Sequence, residues 1–276
     1  MGLDQMLLDF AKKPPGGAFP NIDRAEVVDG LRERTAPGGA KCISQLGSSL
    51  CGPAAVMFCV ATRNPEMYAK YVMDLYDKGE AQFGTLPVKP GDACRNYDPK
   101  RIAPVDWIAL ASLRDSENRY MTYASVDNEA AAISVPTNIV AWLRAAGYST
   151  HANTQLFGGM VQYDYEIAQA GSARRQGRDV CLFINANMLD SMGSLSTIPD
   201  HWIVLTKATS TLRNVRSPSR SSPGEASEIC PPAARRISMT FSRTTTDTSQ
   251  PDDVLCRRAF VWFRAGWGNA RAGCRK

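Results

Sequence analysis

Gln45-Leu46-Gly47-Ser48-Ser49-Leu50-Cys51-Gly52-Pro53-Ala54-Ala55 leads from a Gly/Ser loop straight into an apolar run at 56–61. Pro53 falls in the first turn of the helix this stretch predicts, where a missing N–H costs nothing. Cys51 therefore stands at a helix start, among unpaired N–H groups and about half a positive charge. A thiol attacks well only as thiolate, its free pKa is about 8.5, and that field favours the thiolate. Gly47, Ser48, Ser49, Gly52, Ala54 and Ala55 are small, so a substrate backbone can approach closely. Gln45 lies six residues before Cys51. Its amide can donate toward the oxyanion formed when a thiolate attacks a carbonyl, with the Cys51 N–H as second donor.

Such an attack on an amide also needs a base that turns acid for the leaving amine. The chain has only two histidines, His151 and His201. His201 opens an apolar run (HWIVLTK) after a Gly/Ser/Pro loop, and a strand start holds an imidazole rigidly at a cleft edge. His151 lies in a polar stretch (YSTHANTQ) that reads as surface. The expected set is Cys51 as nucleophile, His201 as acid/base and Gln45 as oxyanion donor. No cofactor and no metal are expected in it. The eight cysteines, at 42, 51, 59, 94, 181, 230, 256 and 274, form no CxxC pair and no zinc-spaced cluster with histidine.

Around this centre the hydrophobic period is first helical and then extended. Residues 23–35 read as an amphipathic helix with Val27, Val28 and Leu31 on one side. Asn64 and Pro65 read as N-cap and first residue of a helix with a stripe of Tyr68, Tyr71, Val72 and Leu75, stopped at Gly79. A Gly/Pro loop is expected over 80–103. DWIALASLRDSEN (106–118) and a segment from Pro136 to Gly147 read as further helices. Asp106, Arg114, Asp115 and Glu117 of the first read as a structural ion pair or a solvated face. Residues 180–185, 201–207, 236–243 and 259–263 read as strands. Helices first and strands later predict an α+β fold with segregated halves.

The 276 residues, 44% hydrophobic and 21% charged, suit one substantial domain with an appendage. The net charge of +5 is unevenly placed: residues 211–276 carry 12 of the 32 Lys+Arg but only 5 of the 27 Asp+Glu. The bases there are scattered among Ser, Pro and Thr rather than forming a stripe with aromatics, so nucleic acid is not an expected partner. Three readings fit this stretch: an extension, a divergent β lobe, or a shifted reading frame. The expected divisions are 1–35, a helical lead; 36–210, the core; and 211–276, a basic tail. No apolar run nears the ~18 residues of a membrane helix. The N-terminal sequence lacks a signal peptide's basic start and long apolar core, so a cytoplasmic chain, or one exported by a signal-independent system, is expected.

The stretch QLGSSLCGPAA, with Gln45, Cys51 and a later His201 at a strand start, resembles the papain-like cysteine peptidase superfamily. The closest likeness is to a bacterial branch marked by a Gln, a short loop and Cys-Gly-Pro-Ala. The resemblance implies a helical lobe led by the nucleophile helix and an antiparallel β lobe carrying the His. It implies a hydrolase of amide or peptide bonds working through a thioester, with a protein, peptide or peptidoglycan-peptide substrate. Deamidation, transglutamination and cell-wall amidase chemistry share that thioester. The family also has an Asn or Asp that orients the His. FRAGWGN resembles its Trp-Gly stretch, yet Ala265 stands where the Asn would fall. Asn269 and Asn214 are alternatives, and Asp200 is too near His201 in sequence. Residues 36–207 also look like uncharacterised bacterial toxins and effectors of contact-dependent, type VI-like secretion, which implies an immunity or secretion partner. A non-catalytic binding protein on the same fold is the rival from another class.

Overall fold

The computed structural model describes residues 2–46, 48–117, 134–153, 163–184, 201–207 and 259–267. Two helices open the chain, α1 (Leu3–Ala11) and α2 (Arg24–Thr35). A short 3-10 turn (Gly39–Cys42) follows, then α3 (Cys51–Arg63) and α4 (Pro65–Lys78). A small hairpin of β1 (Ala81–Phe83) and β2 (Leu86–Val88) leads to α5 (Asp92–Arg95). Next, α6 (Pro104–Asp106) runs through a π turn (Trp107–Ala111) into α7 (Ser112–Ser116). The rest comprises α8 (Pro136–Ala145), β3 (Tyr148–Asn153), α9 (Tyr163–Arg175), β4 (Asp179–Ile184), β5 (His201–Val204) and β6 (Ala259–Trp267).

The fold is α+β. Four strands form an antiparallel sheet in the order β3-β6-β4-β5. Central to the molecule is α3. Its sequence has no polar face, and a helix apolar all round must be enclosed. Val56, Met57, Cys59 and Val60 are at most 1% exposed. The helix packs against α4, α8, the π turn and β5. Leu7, Phe10, Phe19, Ile22, Val27 and Leu31 belong to the same apolar cluster, so residues 1–35 pack on the core.

Local chemistry sets the helix ends. Asn64 accepts a hydrogen bond from the Met67 N–H at 3.0 Å, and Pro65 supplies a preset first φ. At the other end of α4, Gly79 adopts φ +73°, a conformation that costs a side chain about 1–2 kcal/mol, and its N–H closes onto the Leu75 carbonyl.

Several expectations change. The segment 80–103 is not all loop, because it holds the β1–β2 hairpin and α5. The polar stretch around His151, for which no strand was expected, forms strand β3. Its pairing with β6, more than a hundred residues later, decides that. Helix α9 gave no readable signal. Of the charged set of the 106–118 helix, Asp106, Arg114 and Asp115 are buried and Glu117 is half-buried. Asp106 finds its partner on α2, where Arg34 grips it through Nε and Nη2, both at 2.7 Å. Asp115 accepts the Gly91 N–H at 2.7 Å. The strand read at 236–243, Asn118, and most of the basic tail lie outside the described residues.

Candidate functional site

Cys51 is the first residue of α3 and is 7% exposed. The preceding turn is tightly built. The Gln45 carbonyl accepts both the Ser48 N–H at 2.9 Å and the Ser48 hydroxyl at 2.6 Å. Leu46 follows Gln45 with φ +40°, a left-handed conformation disfavoured for a residue with a Cβ. Such strain persists only where the surroundings over-determine it. Here part of that determination is electrostatic: the Asp106 carboxylate accepts the Ser44 N–H at 3.1 Å, one residue before Gln45. Burial pushes the Asp106 carboxyl up from its ordinary value, and the Arg34 guanidinium and the Ser44 N–H oppose that. Gln45 is 9% exposed, and its Oε1 is buried without a hydrogen-bond partner among the described residues. A buried amide oxygen left unpaired costs roughly 1–3 kcal/mol, so this side chain stands out from the rest of the loop.

His201 is the first residue of β5, which is an edge strand of the sheet. It pairs with Ile184 of β4. Two anchors align β5 with α3. At one end, Asp179 accepts from Arg63 Nε at 3.0 Å and from Arg174 Nη1 at 3.3 Å, and Arg174 Nε donates to the Thr206 carbonyl at 3.0 Å. Thr62 and Thr206 line the same small cleft there. From Thr62 back to Cys51 is eleven helical residues, about 16 Å, and from Thr206 back to His201 is five extended residues, also about 16 Å.

At the other end both elements meet Ser134, just before α8. The Trp202 indole N–H donates to the Ser134 carbonyl at 2.8 Å. A Cβ on Gly52 would lie 2.4 Å from the Ser134 Cβ and 3.1 Å from Ile139 Cδ1. Only a glycine beside Cys51 permits this approach. Gly52→Ala is therefore expected to destabilise the fold by about 1–3 kcal/mol in urea unfolding, despite alanine's better helix propensity. Adding Ser134→Gly should recover part of the loss, because it removes the atom that clashes.

The two histidines end on opposite edges of the sheet. His151 pairs with Arg264 on β3, three strand spacings from β5, or roughly 14 Å. Only His201 lies on the strand that α3 follows. Ala265 pairs with Asp179 and Thr150, whereas His201 pairs with Ile184 at the other end of β4. Five residues of β4, about 17 Å, separate those levels. The FRAGWGN stretch thus does not bring position 265 beside His201. Asn269, Asn214 and Asp200 lie outside the described residues, as does Gly47.

A cleft of about 460 Å³ runs along α3 and β5, lined by Ala54, Ala55, Phe58, Ile203 and Leu205 among others. It includes Trp202 but not Cys51, Gln45 or His201. Among the described residues no three His, Cys, Asp or Glu side chains are grouped to hold a metal ion, and no helix is long and apolar enough to cross a membrane. The Arg34–Asp106 pair and the Gly52–Ser134–Trp202 junction were not legible beforehand. Each joins residues far apart in sequence, and only the ion-pair reading of the charges in the 106–118 helix pointed toward the first. Comparison with family models, with curated proteins and with solved structures finds no match to this chain.

Proposed function

We propose that this protein is a papain-like, cysteine-dependent hydrolase of an amide or peptide bond. Cys51 attacks the carbonyl carbon as thiolate. Gln45 and the Cys51 N–H receive the oxyanion. His201 takes the thiol proton and returns it to the leaving amine, and water then resolves the thioester. The observation that carries this reading is the alignment of α3 with β5, whose second residues, Gly52 and Trp202, meet on Ser134. The strained turn at Leu46 adds to it, since backbone strain concentrates at functional sites.

Selective alkylation tests it. At pH 6 an ordinary thiol of pKa about 8.5 is well under 1% thiolate. Cys51 should react with iodoacetamide at least about tenfold faster than the other cysteines, as read by peptide mass mapping over time. His201→Ala should remove that advantage. Equal reactivity of all exposed thiols would leave a binding protein on the same fold. Gln45→Ala should leave the alkylation rate unchanged and lower turnover of a hydrolysed peptide by about 10²–10³-fold, because the amide acts on the oxyanion and not on the thiol.

A further inference from the structure

Two other cysteines are brought together by the fold and take no part in the chemistry above. Cys59 lies on α3, and Cys181 lies on β4, opposite Val204 of β5 and Phe263 of β6. They are 122 residues apart in sequence, yet their sulfurs are 3.9 Å apart. Each is 1% exposed. The helix is pinned at this level by the Tyr148 hydroxyl, which donates to the Cys59 carbonyl at 2.9 Å. One turn further along α3, the Arg63–Asp179 pair ties it to the start of β4. The hydrogen bond to Cys181 and burial together push the Cys59 thiol well above its ordinary value, so it is a poor nucleophile in the folded chain.

We propose that Cys59 and Cys181 are a disulfide site, closed when the chain folds in an oxidising environment and left as a buried dithiol when it folds in a reducing one. The sulfurs need to approach by about 2 Å, within reach of side-chain rotation and small backbone shifts. The oxidant is a small disulfide such as oxidised glutathione. One cysteine thiolate attacks it, forms a mixed disulfide and releases one glutathione thiolate. The second cysteine thiolate then attacks the mixed disulfide and releases the other. One glutathione S–S bond is broken and one Cys59–Cys181 bond is made. The two cysteine protons end on two glutathione thiols, and glutathione is reduced as the cysteines are oxidised. Attack needs an accessible thiolate, so the choice is made before the core closes. The link would fasten the helix that begins at Cys51 to the central strand beside β5. This inference does not rest on Cys51 being a nucleophile.

The test is to unfold and reduce the full chain, then refold one sample in a glutathione redox buffer and another in excess reductant. Remaining thiols are alkylated under denaturing conditions, and peptides are mapped without reduction. The oxidised sample should yield the Cys59 peptide joined to the Cys181 peptide. Its Tm should exceed that of the reduced sample by about 10 °C, since closing a loop of this length removes unfolded-state entropy. Protein folded in reductant and only then given oxidised glutathione should stay unlinked for hours. Cys59→Ala and Cys181→Ala should each abolish the Tm difference. Recovery of both cysteines as separately alkylated peptides after oxidative refolding would overturn the proposal. So would their joining predominantly to other cysteines. The mapping is done on the unaltered chain, so it stands even if a variant folds poorly.

Discussion

Cys51→Ala is expected to abolish labelling by an electrophilic peptide probe and to lower hydrolysis of any accepted substrate by about 10⁴-fold or more. Loss of the nucleophile alone removes nearly all the catalysis that a nucleophile–base pair supplies. His201→Ala should cost nearly as much, and Cys51→Ala/His201→Ala should cost little more than either single change, because the two residues act as one unit. That non-additivity is the informative measurement. Two residues serving unrelated purposes would give effects that multiply. Stability should change little in Cys51→Ala, since alanine keeps the Cβ and the helix start. A Tm within a few degrees of the unaltered chain separates lost chemistry from lost fold.

Asp106→Ala is expected to destabilise the protein by about 3–5 kcal/mol, the largest effect on folding among the changes considered. Arg34 is 4% exposed and holds Asp106 through two hydrogen bonds of 2.7 Å. Removing the carboxylate leaves a buried guanidinium with only the half-exposed Glu33 carboxylate to offset its charge. Replacing both, as Arg34→Met/Asp106→Leu, should restore most of the loss, because an apolar pair avoids the desolvation both charges suffer. The double variant separates two roles. Asp106 also accepts the Ser44 N–H, next to Gln45. With stability restored but that acceptor gone, turnover should stay at least about tenfold low, since small displacements of a positioned group cost that much or more. Urea unfolding reads the first effect and steady-state kinetics the second.

Some of this was legible along the chain because the signals are local. A loop of small residues entering an Ala-rich helix at Pro53 put Cys51 at a helix start. Asn64, Pro65 and Gly79 bounded α4 by capping chemistry that acts within a few residues. The runs at 180–185, 201–207 and 259–263 were apolar enough to read as strands. Where the deciding contact is distant, reading failed. His151 sits in a polar stretch, and only pairing with β6 makes it a strand. Asp106, Arg114 and Asp115 read as an ion pair or a wet face, and the sequence does not show which partners bury them. Asp106 is buried against Arg34 of α2, and Asp115 against the Gly91 N–H just before α5.

By itself, then, the sequence determined several of the elements and the shortlist: a helix-start cysteine, a glutamine six residues ahead, two histidines and an α-then-β order. These depend on propensity, capping and hydrophobic period, all set by near neighbours. Tertiary structure decided where the two histidines stand, because strand order put the strands of His151 and His201 on opposite edges of the sheet. It also decided why Gly52 must be a glycine, why an aspartate is buried behind Gln45, and which two of eight thiols meet in the core. Each depends on residues 50 to 150 positions apart, and only packing brings such residues together.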